Sequence, residues 1–405
     1  MDNIILHIDI NNCFATIEML QNPEWRGRAL AVCGSPSERR GIILAKSEEA
    51  KKYGVKTGEA IWQAQRKCPD LLLVPPHFDL YRQYSHKTHE IYYRYTSQVE
   101  PFGIDECWLD VRNSKVLFGS PREIAEQIRT ELNQELGITV SIGMSSTKVM
   151  AKLASDLAGV NEIRVITQAD IEDRISHLPV DKMLGVGRST GKILRRYGIN
   201  TIGKLAGAPE SFLVDLFGVR GAQIRREAQG VSADPVKDFS ERETIKSVGN
   251  GCTCSCDLVN EEEVFRVFMA LAKSVSVRLR RARLYAQGIQ ITVKDQLFSS
   301  YQKQYRLRSP LRLAQGLADQ AMSLFKSTYD WRLPVRALTL RAYNLCHHLP
   351  SQLALNFGDD CYSYARLDDA IAKLRYQFGE DCIDYAGSTL EYKLPKNKYN
   401  LFAFE

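Results

Sequence analysis

The stretch at residues 99–111, VEPFGIDECWLDV, decides how the rest of the chain is read. Cys107, Leu109 and Val111 alternate with Trp108 and Asp110 at the two-residue period of a strand, and two acids, Asp105 and Glu106, stand where that strand begins. A second apolar run, Ile4 to Ile10, carries Asp9 near its end and leads into a helix-like segment, Cys13 to Leu20, with Phe14, Ile17 and Leu20 at helical spacing. An apolar strand that ends in a carboxylate sets a charge at the edge of the core, where it is costly unless paired or bound to metal. Three such acids meeting on one sheet would make a hard-oxygen site for Mg²⁺. Two such ions, about 3.5–4 Å apart, clamp the attacking and leaving oxygens of phosphoryl transfer. Consecutive residues of a regular strand point to opposite faces, so Asp105 and Glu106 share a site only at a strand end or bulge, which Pro101 and Gly103 permit. Taken alone, an Asp-Glu pair is more often two surface acids in a turn.

Around these strands the composition bounds the class. The chain has 405 residues, 44% hydrophobic and 25% charged, more than one core normally fills, so several domains are expected. No apolar run is long enough for a membrane span, and the start, MDNIILHIDINN, lacks the pattern of a signal peptide. The ten cysteines are scattered without a CxxC pair and read as free thiols of a reducing compartment, so the expected location is cytoplasmic, with no membrane partner. The net charge of +6 is unevenly spread. Between Arg188 and Arg226 eight Lys/Arg face two acids, and between Glu241 and Arg312 thirteen face seven, whereas beyond Phe357 nine acids outnumber six bases. Two basic blocks suggest a surface that tracks a polyanion, with nucleic acid the usual candidate; a pair of ordinary solvated helices gives the same count.

Patterning predicts strands at Ala29–Cys33, Ile42–Ala45, Leu71–Val74 and Thr139–Ile142, and helices at Glu48–Tyr53, Glu59–Lys67, Asp79–Tyr95, Pro121–Leu136 and Lys148–Leu157. Helices on a mixed sheet are the expectation. From about Thr167 short helices broken by glycines follow, as in DKMLGVGRSTGKILRRYGINTIGKLAG. A Gly-x-Gly turn between helices, with Arg or Lys beyond it, can aim backbone N–H groups at a phosphate; this is the helix-hairpin-helix pattern, and LFGVRGAQIRREAQG looks like a weaker second copy. The polar stretch Val231–Glu243 reads as a linker. Strands at Gly288–Val293 and Ala337–Tyr343, with helices at Glu261–Ala282 and Leu311–Phe325, predict a small α+β domain.

The segments HIDINNCFATIE, AKSEEAKKYGVKTGEAIW, VEPFGIDECWLDV, GMSSTKVMAKLASD and MLGVGRSTGKILRRYGI, in that order, resemble the Y-family translesion DNA polymerases of the polymerase IV and UmuC-like group. The resemblance continues through SVGNGCTC to RLDDAIAKLRYQFGED, nearly the whole chain. It implies an α+β multidomain right-hand polymerase: palm (1–24 and 78–167), small fingers (25–77), a helical helix-hairpin-helix thumb (168–232), a linker (233–242), an α+β little finger (243–345) and a C-terminal tail with a helix (346–405). It further implies a monomeric, template-directed DNA polymerase of low fidelity without proofreading, acting on primer-template DNA and dNTPs with two Mg²⁺. Asp9, Asp105 and Glu106 would be catalytic metal ligands, joined by the backbone carbonyl of Ile10. Phe14 would be the steric gate under the incoming sugar, with Cys13, Glu48, Lys51 and Lys152 at the nucleotide. Gly185, Gly187, Arg188 and Lys192, with Arg278, Arg280 and Arg281, would contact DNA.

The departures from the family cluster at the triphosphate. The family commonly has Tyr where Glu48 stands, Arg at Lys51 and Lys at Gly159, and its Lys-Pro-Asn/Asp-Gly stretch here reads Gly159-Val160-Asn161-Glu162. Like charges about 4 Å apart at an effective dielectric near 20 repel by about 4 kcal/mol, so Glu48 beside a polyanion is unfavourable. Either Lys148, Lys51, Lys46 or Lys152 takes over part of the contact in a slow polymerase, or the chain is a DNA-binding scaffold of a translesion complex; a two-metal nuclease would lack a separate base. Gln352, Leu353, Leu355 and Phe357 resemble the peptide by which such polymerases hold the sliding clamp, a further expected partner; a loop packed on its own domain reads the same. Cys252, Cys254 and Cys256 fall on one strand face by period two, and buried small residues are favoured there over a zinc site.

Overall fold

In the computed structural model, residues 4–35, 39, 41–231, 234–238 and 244–347 are described, with scattered positions between 367 and 383. The clamp-like peptide Gln352–Phe357 lies outside them. The chain divides into two compact units, 1–33 with 43–242 and 34–42 with 243–405.

The first unit opens with β1 (Ile5–Ile10) and α1 (Cys13–Gln21), joined through Asn12 at φ 50°, a left-handed conformation that Asn tolerates better than other residues with a side chain. A three-stranded sheet follows, built from β2 (Leu30–Cys33), β3 (Ile43–Lys46) and, after α2 (Glu48–Lys52) and α3 (Ile61–Lys67), β4 (Leu72–Val74), in the order β3-β2-β4. Next come α4 (Phe78–Tyr95), β5 (Val99–Pro101), β6 (Glu106–Asp110), α5 (Lys115–Phe118), α6 (Pro121–Leu136), β7 (Val140–Ser145), α7 (Lys148–Leu157) and β8 (Ile163–Val165). The five-stranded sheet runs β5-β6-β1-β7-β8, antiparallel except for the β7/β8 pair.

Both faces of this sheet are covered, and the two faces differ in kind. Leu6, Ile8 and Ile10 join Cys107, Leu109, Tyr92 and Ile128 in an apolar core beneath α1, α4 and α6. The opposite face carries Ile5, His7, Asp9 and Trp108, and α7 packs against it. Gly143 makes that approach possible: a Cβ there would lie 1.9 Å from the Ala151 carbonyl oxygen and 2.4 Å from the Ser155 nitrogen. Val236, from the stretch read as a linker, is buried on this same face beside Ile5, Trp108 and Ala151. That segment is anchored as well by Asp234 on Lys148 (2.7 Å) and by the Lys237 N–H donating to Glu100 (2.9 Å), contacts that its polar composition did not announce.

After α8 (Gln168–Asp170), the helical end of the first unit holds α9 (Arg188–Arg196), α10 (Ile202–Gly207), α11 (Glu210–Phe217) and α12 (Val219–Ala228) around Leu194, Ile202, Leu213 and Ile224. The element ahead of the Gly185–Gly187 turn is a short 3₁₀ turn, Val180–Lys182, where a helix was expected.

The second unit contains β9 (Ser247–Leu258), α13 (Glu261–Arg281), β10 (Tyr285–Asp295), β11 (Ser300–Leu311), α14 (Ala314–Lys326) and β12 (Val335–Cys346). Its sheet is antiparallel throughout, in the order β11-β10-β12-β9, with α13 and α14 on one face. The cysteine reading needs a correction here. Cys252 and Cys254 are buried but Cys256 is exposed, because the β9/β12 register shifts between Ala337 and Val335 and breaks the two-residue period. In the predicted tail helix, the described positions Leu367, Ala370, Ile371, Lys373, Leu374, Arg375, Gln377 and Phe378 are helical. No helix among the described residues is long and apolar enough to cross a membrane.

Gly143→Ala is expected to lower stability by about 3 kcal/mol, since backbone and not a flexible side chain blocks the added methyl. Gly207→Ala, where a Cβ meets open space, is the matched control; equal urea midpoints for the two variants would contradict the close α7 packing.

Candidate active site

The register of β1 against β6 creates the site. Asp9 lies directly opposite Glu106, so the two side chains share a face, the one covered by α7. Asp105 escapes the alternation rule because it sits in a bend before β6, after Gly103 at φ 136°, and its carbonyl accepts the Ile10 N–H at 3.0 Å. The strand-end irregularity that Pro101 and Gly103 were expected to allow is therefore present. On the other side, Ser141 of β7 pairs with Asp9.

A cation is already among these acids. Lys152 Nζ lies 3.0 Å from Glu106 Oε2, 3.8 Å from Asp9 Oδ2 and 3.0 Å from Asp156 Oδ1. Burial pushes the Asp9 carboxyl up to about 7, with Glu106 and Asp105 adding repulsion and Lys152 only partly opposing it. Asp105 is also raised, by burial and then by Glu106. Burial would raise Glu106 as well, but the His7 imidazole and the Lys152 ammonium hold it below the usual carboxylate range. Burial would likewise lower Lys152, and Glu106 and Asp156 reverse that.

His7 and Asp156 are site residues that the sequence reading missed. The Ser155 hydroxyl lies 2.7 Å from His7 Nδ1 and 2.8 Å from the Lys152 carbonyl oxygen, which ties the ring to α7. His7 Nε2 faces Glu106 Oε2 at 3.4 Å, the oxygen that Lys152 Nζ also approaches, and both atoms are buried. His7 is two residues from Asp9 on one strand face, and Asp156 is one helical turn from Lys152; those spacings were the available signal. As the side chains stand, no three His, Cys, Asp or Glu groups among the described residues form a ready metal cage. The donor set nonetheless fits a hard divalent cation: three carboxylates on one sheet edge, one of them pushed up to about 7 by burial and like charge.

Beside the acids, the expected nucleotide residues are only partly gathered. Phe14 is half-buried and Cys13 buried at the start of α1. Glu48, at the first turn of α2, accepts from Asn12 Nδ2 (2.7 Å) and Lys51 Nζ (2.6 Å). Burial favours its neutral form, but these two partners hold its pKa below the usual range. Lys51 is thus already paired, though exposed. Glu162 accepts the Gly159 N–H, so the acid that replaces a family glycine is turned onto its own loop. Lys148 is not a candidate for the triphosphate: its ammonium is buried between Glu100 (3.0 Å) and Asp234 (2.7 Å) and over the Trp108 ring.

Of the expected DNA residues, Gly185, Gly187, Arg188 and Lys192 come together on an exposed turn and the first turns of α9. Gly185 stands at φ 84°, a left-handed conformation that strains any residue with a side chain, and the Arg220 guanidinium of α12 lies against it. On α13, Arg281 is exposed, but Arg278 and Arg280 are half-buried, and Arg278 donates to the Gly249 carbonyl at 2.9 Å. The cations missed lie on the helix-free face of the second sheet, where Arg306, Gln304, Gln290, Lys294 and Arg341 occupy aligned positions. Period-two alternation in 301–308 was the signal.

An Asp9 carboxyl that titrates near 7 in the fold, against an ordinary 3.8, binds its proton more tightly when folded. Stability therefore falls as pH rises through that window. In metal-free buffer Asp9→Asn should match wild type at pH 4 and exceed it by about 1–2 kcal/mol at pH 8, read from thermal unfolding. A pH-independent difference would contradict the site's electrostatics.

Comparison with known proteins shows the family and the fold. The sequence model of the impB/mucB/samB family matches residues 8–156, and that of the impB/mucB/samB family C-terminal domain matches 245–355. DNA polymerase IV of Acetivibrio thermocellus is 40% identical over 378 residues, 93% of this chain and 94% of that protein. DNA polymerase IV 1 of Bacillus subtilis is 37% identical over 342 residues, 84% and 82% of the two chains. Among solved structures, a Y-family DNA polymerase chimera is similar with a TM-score of 0.74 at 22% identity, covering 85% of this chain and all (100%) of that one. The chain belongs to the impB/mucB/samB family, the polymerase IV group of Y-family DNA polymerases.

Proposed function

We propose that this chain joins dNTPs to a primer 3′-hydroxyl at the β1/β6 edge, with Asp9, Asp105 and Glu106 holding two Mg²⁺ and the Ile10 carbonyl as a further ligand. The observation that carries the reading is the convergence of the three carboxylates on one sheet edge with Asp9 pushed up to about 7, an arrangement stabilised by added positive charge. When bound, such ions supply charge and alignment to the attacking and leaving oxygens. The protein's own part is positional. Strand register sets the backbone positions of Asp9 and Glu106 and the bend after Gly103 that of Asp105, so only side chains have to turn to enclose an ion. Lys152 balances their charge in the free protein and is freed toward Asp156, or toward phosphate, when another cation takes its place. The ring of Phe14 is the wall against a 2′-hydroxyl.

Triphosphate binding is the weak part of this site. Glu48 is neutralised by Lys51 and Asn12, so Lys51 serves the substrate only by leaving a partner 2.6 Å away. We assign the palm to 1–24 and 78–167, the fingers to 25–77, the thumb to 168–232 and the little finger to 243–345. DNA would be gripped by the Gly185–Lys192 turn and the open face of the second sheet, and the Gln352–Phe357 peptide would hold a sliding clamp.

Single-turnover primer extension with rising dNTP tests this. Extension that requires Mg²⁺, saturates only at high dNTP and falls by about 10³-fold or more in Asp105→Asn is the expected result. No extension while duplex binding stays tight and salt-dependent would overturn it in favour of a DNA-binding scaffold.

A further inference from the structure

Phe14 is braced by a side chain to which no role has been given so far. Its ring lies parallel to that of Tyr81, with centroids 4.2 Å apart and planes 10° apart, and meets Phe78 edge-on at 5.9 Å. Phe78 also meets Tyr81 edge-on, at 5.9 Å, which closes a three-ring cluster. Tyr81 is fully buried, and its hydroxyl donates to Glu18 Oε1. Glu18 is itself 1% exposed, and the same oxygen lies 2.8 Å from His77 Nδ1.

The geometry is a clip on one helix. Phe14 and Glu18 are four residues apart on α1 and so stand one above the other on a single face. Tyr81 touches both, its ring against the first and its hydroxyl against the second. Two contacts fix the height and tilt of the Tyr81 ring, and the ring then fixes the plane of Phe14. Phenylalanine at 81 would keep the stack but leave a buried carboxylate short of a donor; an aliphatic residue would lose the stack too. A steric wall discriminates only if it cannot swing aside, and an unbraced aromatic ring changes rotamer at a cost far below that of a close contact with a hydroxyl.

We infer that Tyr81, held by Glu18, is a positioning residue for sugar selection: it locks the ring of Phe14 in the plane that excludes a 2′-hydroxyl. The inference rests on the reading of Phe14 as the sugar wall.

The test is kcat/KM for a dNTP and for the matching rNTP on one primer-template with Mg²⁺, in the full chain and in four variants. Phe14→Val should lower the dNTP-to-rNTP ratio by about a hundredfold, Tyr81→Leu by about tenfold and Tyr81→Phe by roughly threefold, while Glu18→Gln, which keeps an acceptor for the hydroxyl, stays near wild type. A purely structural role lowers both efficiencies together and leaves the ratio unmoved. An unchanged ratio in Tyr81→Leu beside a lowered one in Phe14→Val overturns the positioning role. A ratio unmoved by Phe14→Val removes the wall, and the inference with it. If Tyr81→Leu does not fold, Tyr81→Phe decides, and a wild-type ratio there overturns the clip.

Discussion

The pairing of Asp9 with Glu106 across β1 and β6, with the Lys152 ammonium 3.8 Å and 3.0 Å from the two, is the constraint on which the rest depends. Three acids brought to one half-buried edge repel each other and lose hydration, and the Lys152 ammonium placed there offsets part of that cost. Lys152 reaches that place because α7 lies close on the sheet, and α7 lies close because residue 143 has no side chain. A backbone clearance on one strand thus sets the electrostatics at the end of its neighbour. In the proposed two-metal reading, an ion of higher charge density would take the place that the ammonium holds between these acids.

Charge is also balanced by paired partners at the residues proposed to meet the triphosphate. Glu48 with Lys51 and Asn12, and Glu162 with the Gly159 N–H, turn the acids that depart from the family pattern onto partners, three residues away for Lys51 and Gly159 and 36 for Asn12. The acids are therefore not bare charges facing a polyanion, and their cost is the exchange of existing partners. Aromatic packing does the corresponding work for shape, with Phe14, Phe78 and Tyr81 forming one block behind the start of α1.

Much of this is legible in the sequence itself. Strand and helix periods located β1, α1, β6, α6 and α7 to within a residue or two, since each carries a local apolar pattern that its burial then uses. The three acids could be singled out for the same reason, as charges at the ends of apolar runs. What could not be read were pairings set by tertiary contact. Lys148 looked available for phosphate until Glu100 and Asp234, 48 and 86 residues away in sequence (148 − 100 and 234 − 148), closed on it. Arg278 looked free until the packing of α13 brought it to the Gly249 carbonyl. Cys256 leaves the face of Cys252 because of a register shift that no composition signals. His7 stands in an apolar run that carries no sign of a polar partner, and only the strand register shows that it faces Glu106.

Mn²⁺ binding to the free full-length protein, followed by electron paramagnetic resonance, tests most directly whether these acids form a cation site balanced by Lys152. A saturable site in wild type, weakened by about tenfold or more in Asp105→Asn and tightened in Lys152→Ala, is the predicted result. Equal affinity in wild type and Asp105→Asn, or weaker binding once Lys152 is removed, would contradict it.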